Sequence, residues 1–269
     1  MSDSQSWTTA IAEVQEDDVL VRGYRLSELV GEVTFVDTIF LVHTGELPTR
    51  AKREMLDAIF VSLIEHGISP STIITRILVS CGTPSQAAIA GGVVSIADWH
   101  GGAGEQLSQL LAELVTAATT ESGSIDMDAL ENKTRQVVAE YRASGRRFAG
   151  FFHPMHSDGD PRAISLLGLA DELGVSGNYS LAARTLEAEI ERARGRRLPL
   201  NVTGAVAAVL QDLGFSWQAV RGLVIAARSA GLVAHVVEEL EQGGRWRHAS
   251  EDEVAYTGPR DRTLPERVA

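Results

Sequence analysis

Apolar residues recur at three-to-four spacing along most of this chain, and that period predicts helices. From Lys52 to His66, the residues Met55, Leu56, Ile59, Phe60, Leu63 and Ile64 share one face, and Pro48-Thr49 supplies a start. Between Pro84 and Trp99 the pattern changes to small residues. Ala87, Ala88, Ala90, Gly91 and Gly92 would let another helix approach closely, although glycines weaken a helix intrinsically. That surface suits a helix contact between two copies, so a two-fold homodimer is expected. Further helices are predicted over 104–119, 127–143, 161–173, 178–194, 203–213 and 217–241, several closed by Gly174, Gly195 and Gly214. Alternation from Thr8 to Arg22 allows one short hairpin and little other sheet. The predicted class is all-α.

Composition sharpens this picture by exclusion. With 269 residues, 44% of them hydrophobic, the chain can bury a sizeable core as one large domain or a large and a small one. A formal charge of −12 argues against nucleic acid or an anionic membrane as main partner, because phosphate binding needs clustered Lys and Arg. The single Cys81 excludes an internal disulfide and fits a reducing compartment. The N-terminal Met1-Ser2-Asp3-Ser4-Gln5-Ser6 lacks the basic and apolar character of a secretion signal, and no apolar run is expected to reach the roughly twenty residues that cross a bilayer. A cytoplasmic location is expected.

Three loops carry the candidate chemistry. The first is His100-Gly101-Gly102-Ala103; the second runs from Gly150 through His153-Pro154-Met155-His156 to Asp160-Pro161-Arg162; the third is Asn201-Val202-Thr203. Each has a plain structural reading. Gly-Gly after a helix is often a helix end, and Asp-Pro-Arg is an ordinary N-cap with Pro at the first helical position. Their order, followed by Ala226-Ala227-Arg228-Ser229-Ala230-Gly231, resembles the citrate synthase superfamily from about Arg22 to Arg260. Chain length and Val21-Arg22-Gly23-Tyr24 are similar to its compact citryl-CoA lyase branch.

The resemblance implies a large helical domain from residues 1–103 and 201–269, with a smaller helical domain, 104–200, inserted and closing over substrate. It implies an acyl-CoA and a small oxo or hydroxy carboxylic acid as partners, coenzyme A as the carried group, and no metal. His100 would hydrogen-bond the thioester oxygen and stabilise its enolate, and His153 would exchange a proton with the carbonyl or hydroxyl of the bond being made or broken. Arg162 and Arg228 match the family's carboxylate-binding arginines. His66, thirty-four residues before His100, would contact the acid, with stabilisation of a helix end as the alternative. Phe152 and Met155 would line the CoA path. Arg194, Arg196 and Arg197, in a segment with four arginines among six residues, would meet its phosphates; a solvated helix end is the other reading.

Two departures from the family pattern bear on activity. The third loop ordinarily reads Asn-Val-Asp, its Asp handling the α-proton of the acyl-CoA, whereas here it ends in Thr203, whose hydroxyl is no base near neutral pH. An Arg-Pro-Arg stretch before Tyr-x-Gly is replaced by Glu251-Asp252-Glu253, leaving Arg245, Arg247 or Arg260 as substitutes. The expected activity is therefore cleavage or formation of a carbon–carbon bond between an acyl-CoA and an oxo acid. The alternatives are a catalytically impaired CoA- or carboxylate-binding protein and an acyl-CoA thioester hydrolase.

Overall fold

The structure is a computed structural model and describes residues 7–152 and 159–264. It opens with a three-stranded antiparallel sheet, β1 (Ala12–Val14), β2 (Val19–Val21) and β3 (Tyr24–Arg25), in the order β1-β2-β3. The expected hairpin is present, and β3 extends it through a two-residue turn at Arg22 and Gly23, both at positive φ. Arg22 ties the sheet to the helices by donating from Nε and Nη2 to the carbonyl of Val42.

Eleven α-helices follow among the described residues: α1 (Leu26–Leu29), α2 (Phe35–Thr44), α3 (Arg50–Ile64), α4 (Pro70–Ser80), α5 (Ser85–Val94), α6 (Ala103–Ala118), α7 (Met127–Ser144), α8 (Pro161–Glu172), α9 (Asn178–Arg194), α10 (Val202–Asp212) and α11 (Val220–Gln242). The fold is all-α with a small N-terminal sheet. In α3 the predicted stripe is buried through Met55, Leu56, Ile59 and Leu63, while Ile64 is exposed at the helix end. α5 stops short of the predicted end because 95–102 fold into a turn.

Two apolar cores meet on α10. Its Val202, Ala205, Val206, Val209 and Leu210 join α2, α3, α8 and α11 in one core, and its Ala207 and Ala208 join α6, α7 and α9 in the other. α8 therefore packs with the first core although it lies inside the interval 104–200. Small residues permit two close helix crossings. A Cβ on Gly92 would lie 2.1 Å from Thr75 Oγ1 and 2.9 Å from the Ser71 carbonyl, so the Gly91-Gly92 pair serves packing of α5 on α4 within the chain. One on Gly231 would lie 2.1 Å from the carbonyl of Ile64, so α11 passes directly over the end of α3.

The expectation that no apolar run reaches membrane-spanning length needs correcting for Trp217–Gln242, which is long and apolar enough by composition. Its buried face explains the hydropathy. Val220, Leu223, Val224 and Ala227 pack in the first core, and the same helix buries Arg228 and Glu239 in polar contacts, as a core helix does.

Candidate active site

The first loop is a tight turn between α5 and α6. The backbone N–H groups of His100 and Gly102 both donate to the Ala97 carbonyl. Gly101 sits at φ +83°, and a Cβ on Gly102 would come within 2.7 Å of that carbonyl, so only glycine fits both places. The pair thus opens α6 and does not close the helix before it. His100 meets α4 through Ser71: its Nε2 lies 3.0 Å from Ser71 Oγ and 3.4 Å from the Ser71 N–H. A backbone N–H can only donate, so Nε2 accepts and the ring proton of a neutral His100 falls on Nδ1. Burial, followed by the neighbouring His66 and Arg228, pushes the His100 pKa down. The ring is held neutral, with one N–H left to donate.

His66 lies just past α3, its ring 6.3 Å from that of His100 and nearly perpendicular to it. Burial and Arg228 push its pKa down as well, which disfavours a cationic helix-end role. The turn bearing it is held by Glu65, whose Oε1 accepts from the N–H groups of His66 and Gly67 at 2.8 and 2.6 Å. Glu65 Oε2 accepts from Arg228 Nη1 at 2.9 Å and lies 3.0 Å from His235 Nε2.

Arg228 is buried, and protein acceptors engage all its donors. Nε reaches Ser71 Oγ, Nη1 reaches the Ile64 carbonyl and Glu65, and Nη2 reaches Ser69 and Thr72. Arg162 is different. Its Nε and Nη2 contact the two oxygens of Asp160 at 3.0 and 2.9 Å, and its side chain keeps 29% exposure. Asp160 caps α8 by accepting from the Arg162 N–H, and its Oδ2 also takes the N–H of Val202 at 2.9 Å. This buried carboxylate therefore joins the second loop to the third. Burial alone would raise its pKa, but Arg162 and the Val202 N–H hold it below the usual carboxylate range.

The second and third loops touch through backbone. Asn201 N–H donates to the Gly150 carbonyl, Phe152 N–H to that of Pro199, and Asn201 Nδ2 to that of Phe152. A Cβ on Gly204 would lie 2.3 Å from the Gly150 oxygen, which requires glycine there. Phe152 adopts φ +66°, a costly conformation for a non-glycine residue, and stands 47% exposed. Asn201 Oδ1 caps α10 at Gly204 N–H and accepts the Thr203 hydroxyl at 2.6 Å. Thr203 has thus committed its only proton. His153 and Met155 lie outside the described residues.

His66, His100, Phe152, Arg162, Thr203 and Arg228 all line one cleft of about 550 Å³. Its remaining walls include Leu63, Ile96, Trp99, Val202 and Val224. The basic segment, which precedes Pro199 in the chain, contributes no residue to the lining of this cleft. Within that segment Arg192 pairs with Glu189 and Arg197 with Glu187, whereas Arg194 and Arg196 are exposed and form no ion pair among the described residues. Arg245, Arg247 and Arg260 do not line this cleft. Arg247 bonds Glu239 and Gln242, and Arg260 stacks over Tyr256. A cavity of about 720 Å³ lies elsewhere, between α4 and residues 246–253.

Two positioning residues were not singled out in the sequence, and a third was read there only as a helix cap. Glu65 and Ser71 gave no signal, being ordinary polar residues, while Asp160 announced itself only as an N-cap.

Residues 48–249 match the family profile described as citrate synthase, C-terminal domain. The citryl-CoA lyase of Hydrogenobacter thermophilus is 35% identical with a TM-score of 0.86, covering 97% of this chain and 98% of that one. A putative citrate synthase 2 of Mycobacterium tuberculosis is 29% identical over 245 residues, or 89% of this chain and 60% of its own length. This chain thus spans about three fifths of that curated relative. The ATP citrate lyase of Methanosaeta concilii, in complex with (3S)-citryl-CoA, shares the fold at a TM-score of 0.76 and 19% identity, over 96% of this chain and 43% of that one.

Proposed function

The chain belongs to the citrate synthase family, and from that premise we propose that it is a citryl-CoA lyase-like enzyme. It cleaves or forms a carbon–carbon bond between an acyl-CoA and an oxo acid through the enolate of the thioester. The observation that carries this reading is the convergence of a neutral His100, with a free Nδ1–H, and Arg162 on one cleft.

In the cleavage direction His153, assigned by resemblance, takes the hydroxyl proton. The carbon–carbon bond then breaks, and its electron pair becomes the enolate that His100 Nδ1–H stabilises. Arg162 orients the acid's carboxylate through the donors Asp160 leaves free. Thr203 is no carboxylate, so the step that moves the α-proton of the acyl-CoA forgoes a contribution of about 10²–10⁴ in rate, in its removal during condensation and in its return during cleavage alike. Identity of 35% to a citryl-CoA lyase supports the lyase assignment.

Coenzyme A is carried with its phosphates at Arg194, Arg196 and Arg197 and its thioester arm along Phe152 and Met155. Binding of (3S)-citryl-CoA by the ATP citrate lyase of the same fold supports that class of ligand. A homodimer is proposed on the outer faces of α5 and α11, where Ala87, Ala90, Val94, Val233 and Val237 are exposed. Calorimetric titration with CoA, followed by cleavage assays on a panel of 3-hydroxyacyl-CoA thioesters, tests the function; light scattering tests the dimer. Saturable CoA binding with release of a shorter acyl-CoA is expected. Binding without turnover would instead favour a catalytically impaired relative, for which Thr203 is the specific reason.

A further inference from the structure

Arg228, Gly231 and His235 follow one another at three and four positions, so they share one face of α11. That face lies on the end of α3. Gly231 permits the approach, because a Cβ there would stand 2.1 Å from the Ile64 carbonyl. One turn earlier, Arg228 Nη1 donates to Glu65 Oε2 at 2.9 Å; one turn later, His235 Nε2 meets the same oxygen at 3.0 Å. The other oxygen, Oε1, accepts from the N–H groups of His66 and Gly67. One carboxylate therefore ties two residues that line the cleft, His66 and Arg228, to His235, which does not line it.

Glu65 is ionised: burial opposes this, but the Gly67 N–H and Arg228 hold its pKa below the usual carboxylate range. A carboxylate can only accept, so Nε2 of His235 carries a proton and donates it. On the far side of the ring, Nδ1 lies 3.5 Å from Arg76 Nη1 and 3.6 Å from Glu238 Oε2. Arg76 is itself anchored, with Nε donating to Glu239 at 2.7 Å. Packed between these groups, the imidazole keeps 13% of its side chain exposed and has little room to turn from Glu65.

Given the reading of this cleft as the acid and thioester site, we propose that His235 is a positioning residue for the reaction, its Nε2–H fixing Glu65 and Glu65 in turn setting the loop that presents His66 to the acid. Arg228 does not suffice for this. Its Nη1 is divided between Glu65 and the Ile64 carbonyl, so without His235 the Oε2 side keeps one shared donor. The carboxylate can then swing away from the two N–H groups at Oε1, and the His66 turn loses its anchor.

The test follows cleavage of the 3-hydroxyacyl-CoA thioester that the wild-type chain turns over fastest, citryl-CoA among those tried. The variants are His235→Gln, His235→Asn and Glu65→Gln, each alone and combined with His66→Ala. Glutamine brings its amide nitrogen near the place of Nε2 and still donates to Glu65, whereas asparagine is one methylene too short. His235→Asn should raise KM by about tenfold with kcat within about twofold of wild type, the loss of one charge-assisted hydrogen bond. His235→Gln should stay within about threefold of the wild-type KM. Glu65→Gln should repeat the KM rise, and reads the same link should His235→Asn fail to fold. In the His66→Ala background each of these changes should shift KM by less than about twofold, because the residue through which they act is gone. Equal losses in His235→Gln and His235→Asn, or a penalty that persists in full without His66, overturn the positioning role and leave the bond-cleaving function standing. No turnover of any thioester by the wild type overturns the bond-cleaving reading, and this inference with it.

Discussion

Replacing Asp160 with Ala removes a side chain that is 1% exposed and serves four donors in two loops. Loss of the cap on α8 costs about 1 kcal/mol. The Val202 N–H, buried and left without its acceptor, costs about 1–3 kcal/mol. Arg162 is partly exposed, so water recovers much of its lost pair and about 1 kcal/mol remains. The expected total is about 3–5 kcal/mol, which lowers a urea midpoint by roughly 1–2 M. The wild-type contribution also depends on pH with a definite sign. The folded pKa of Asp160 is depressed, so its stabilisation is present above the unfolded value of about 4 and is lost as pH falls through the folded pKa. Urea unfolding of Asp160→Ala between pH 7 and pH 3 should therefore follow a shallower decline than wild type. A destabilisation below about 1 kcal/mol at pH 7 would refute the bridging role.

Three further outcomes are expected. Thr203→Asp should gain exchange of the acetyl-CoA methyl protons in heavy water, followed by proton NMR; rapid exchange by the wild type would mean that another group is the base. Gly92→Ala should cost about 1–3 kcal/mol in thermal unfolding, because its methyl would displace Thr75 and the Ser71 carbonyl beside the partner of His100. The depressed pKa of His100 means that its folded form resists protonation, so stability should fall as pH drops below about 6.5, and His100→Asn should flatten that limb in pH-dependent denaturation.

Helices with an apolar stripe were legible to within a residue or two, as α7 and α9 illustrate, because their buried positions follow the 3.6-residue period. α4 was not. It buries Ser71, Thr72, Thr75 and Arg76, the first two against His100 and Arg228, and exposes Ile73 and Ile77, so its pattern is inverted, leaving Ser69-Pro70 as the one start signal. α2 was missed because Phe35 to Val42 is almost continuously apolar, although Thr34 and Asp37 form a capping box. The loops carrying His100, Arg162 and Thr203 could be found from their residues and order. What those residues touch could not. The five partners of Arg228 come from residues 64–72, more than 150 positions away, and only the packing of α11 over α3 brings them together.

The proposed reaction passes through a thioester enolate formed by breaking a carbon–carbon bond. The most direct measurement incubates the enzyme with 3-hydroxyacyl-CoA substrates, citryl-CoA included, and resolves the products by mass spectrometry. Acetyl-CoA together with a 2-oxo acid, lost in His100→Ala, is the predicted result. Free CoA and an intact hydroxy acid would instead mean thioester hydrolysis, and would contradict the account.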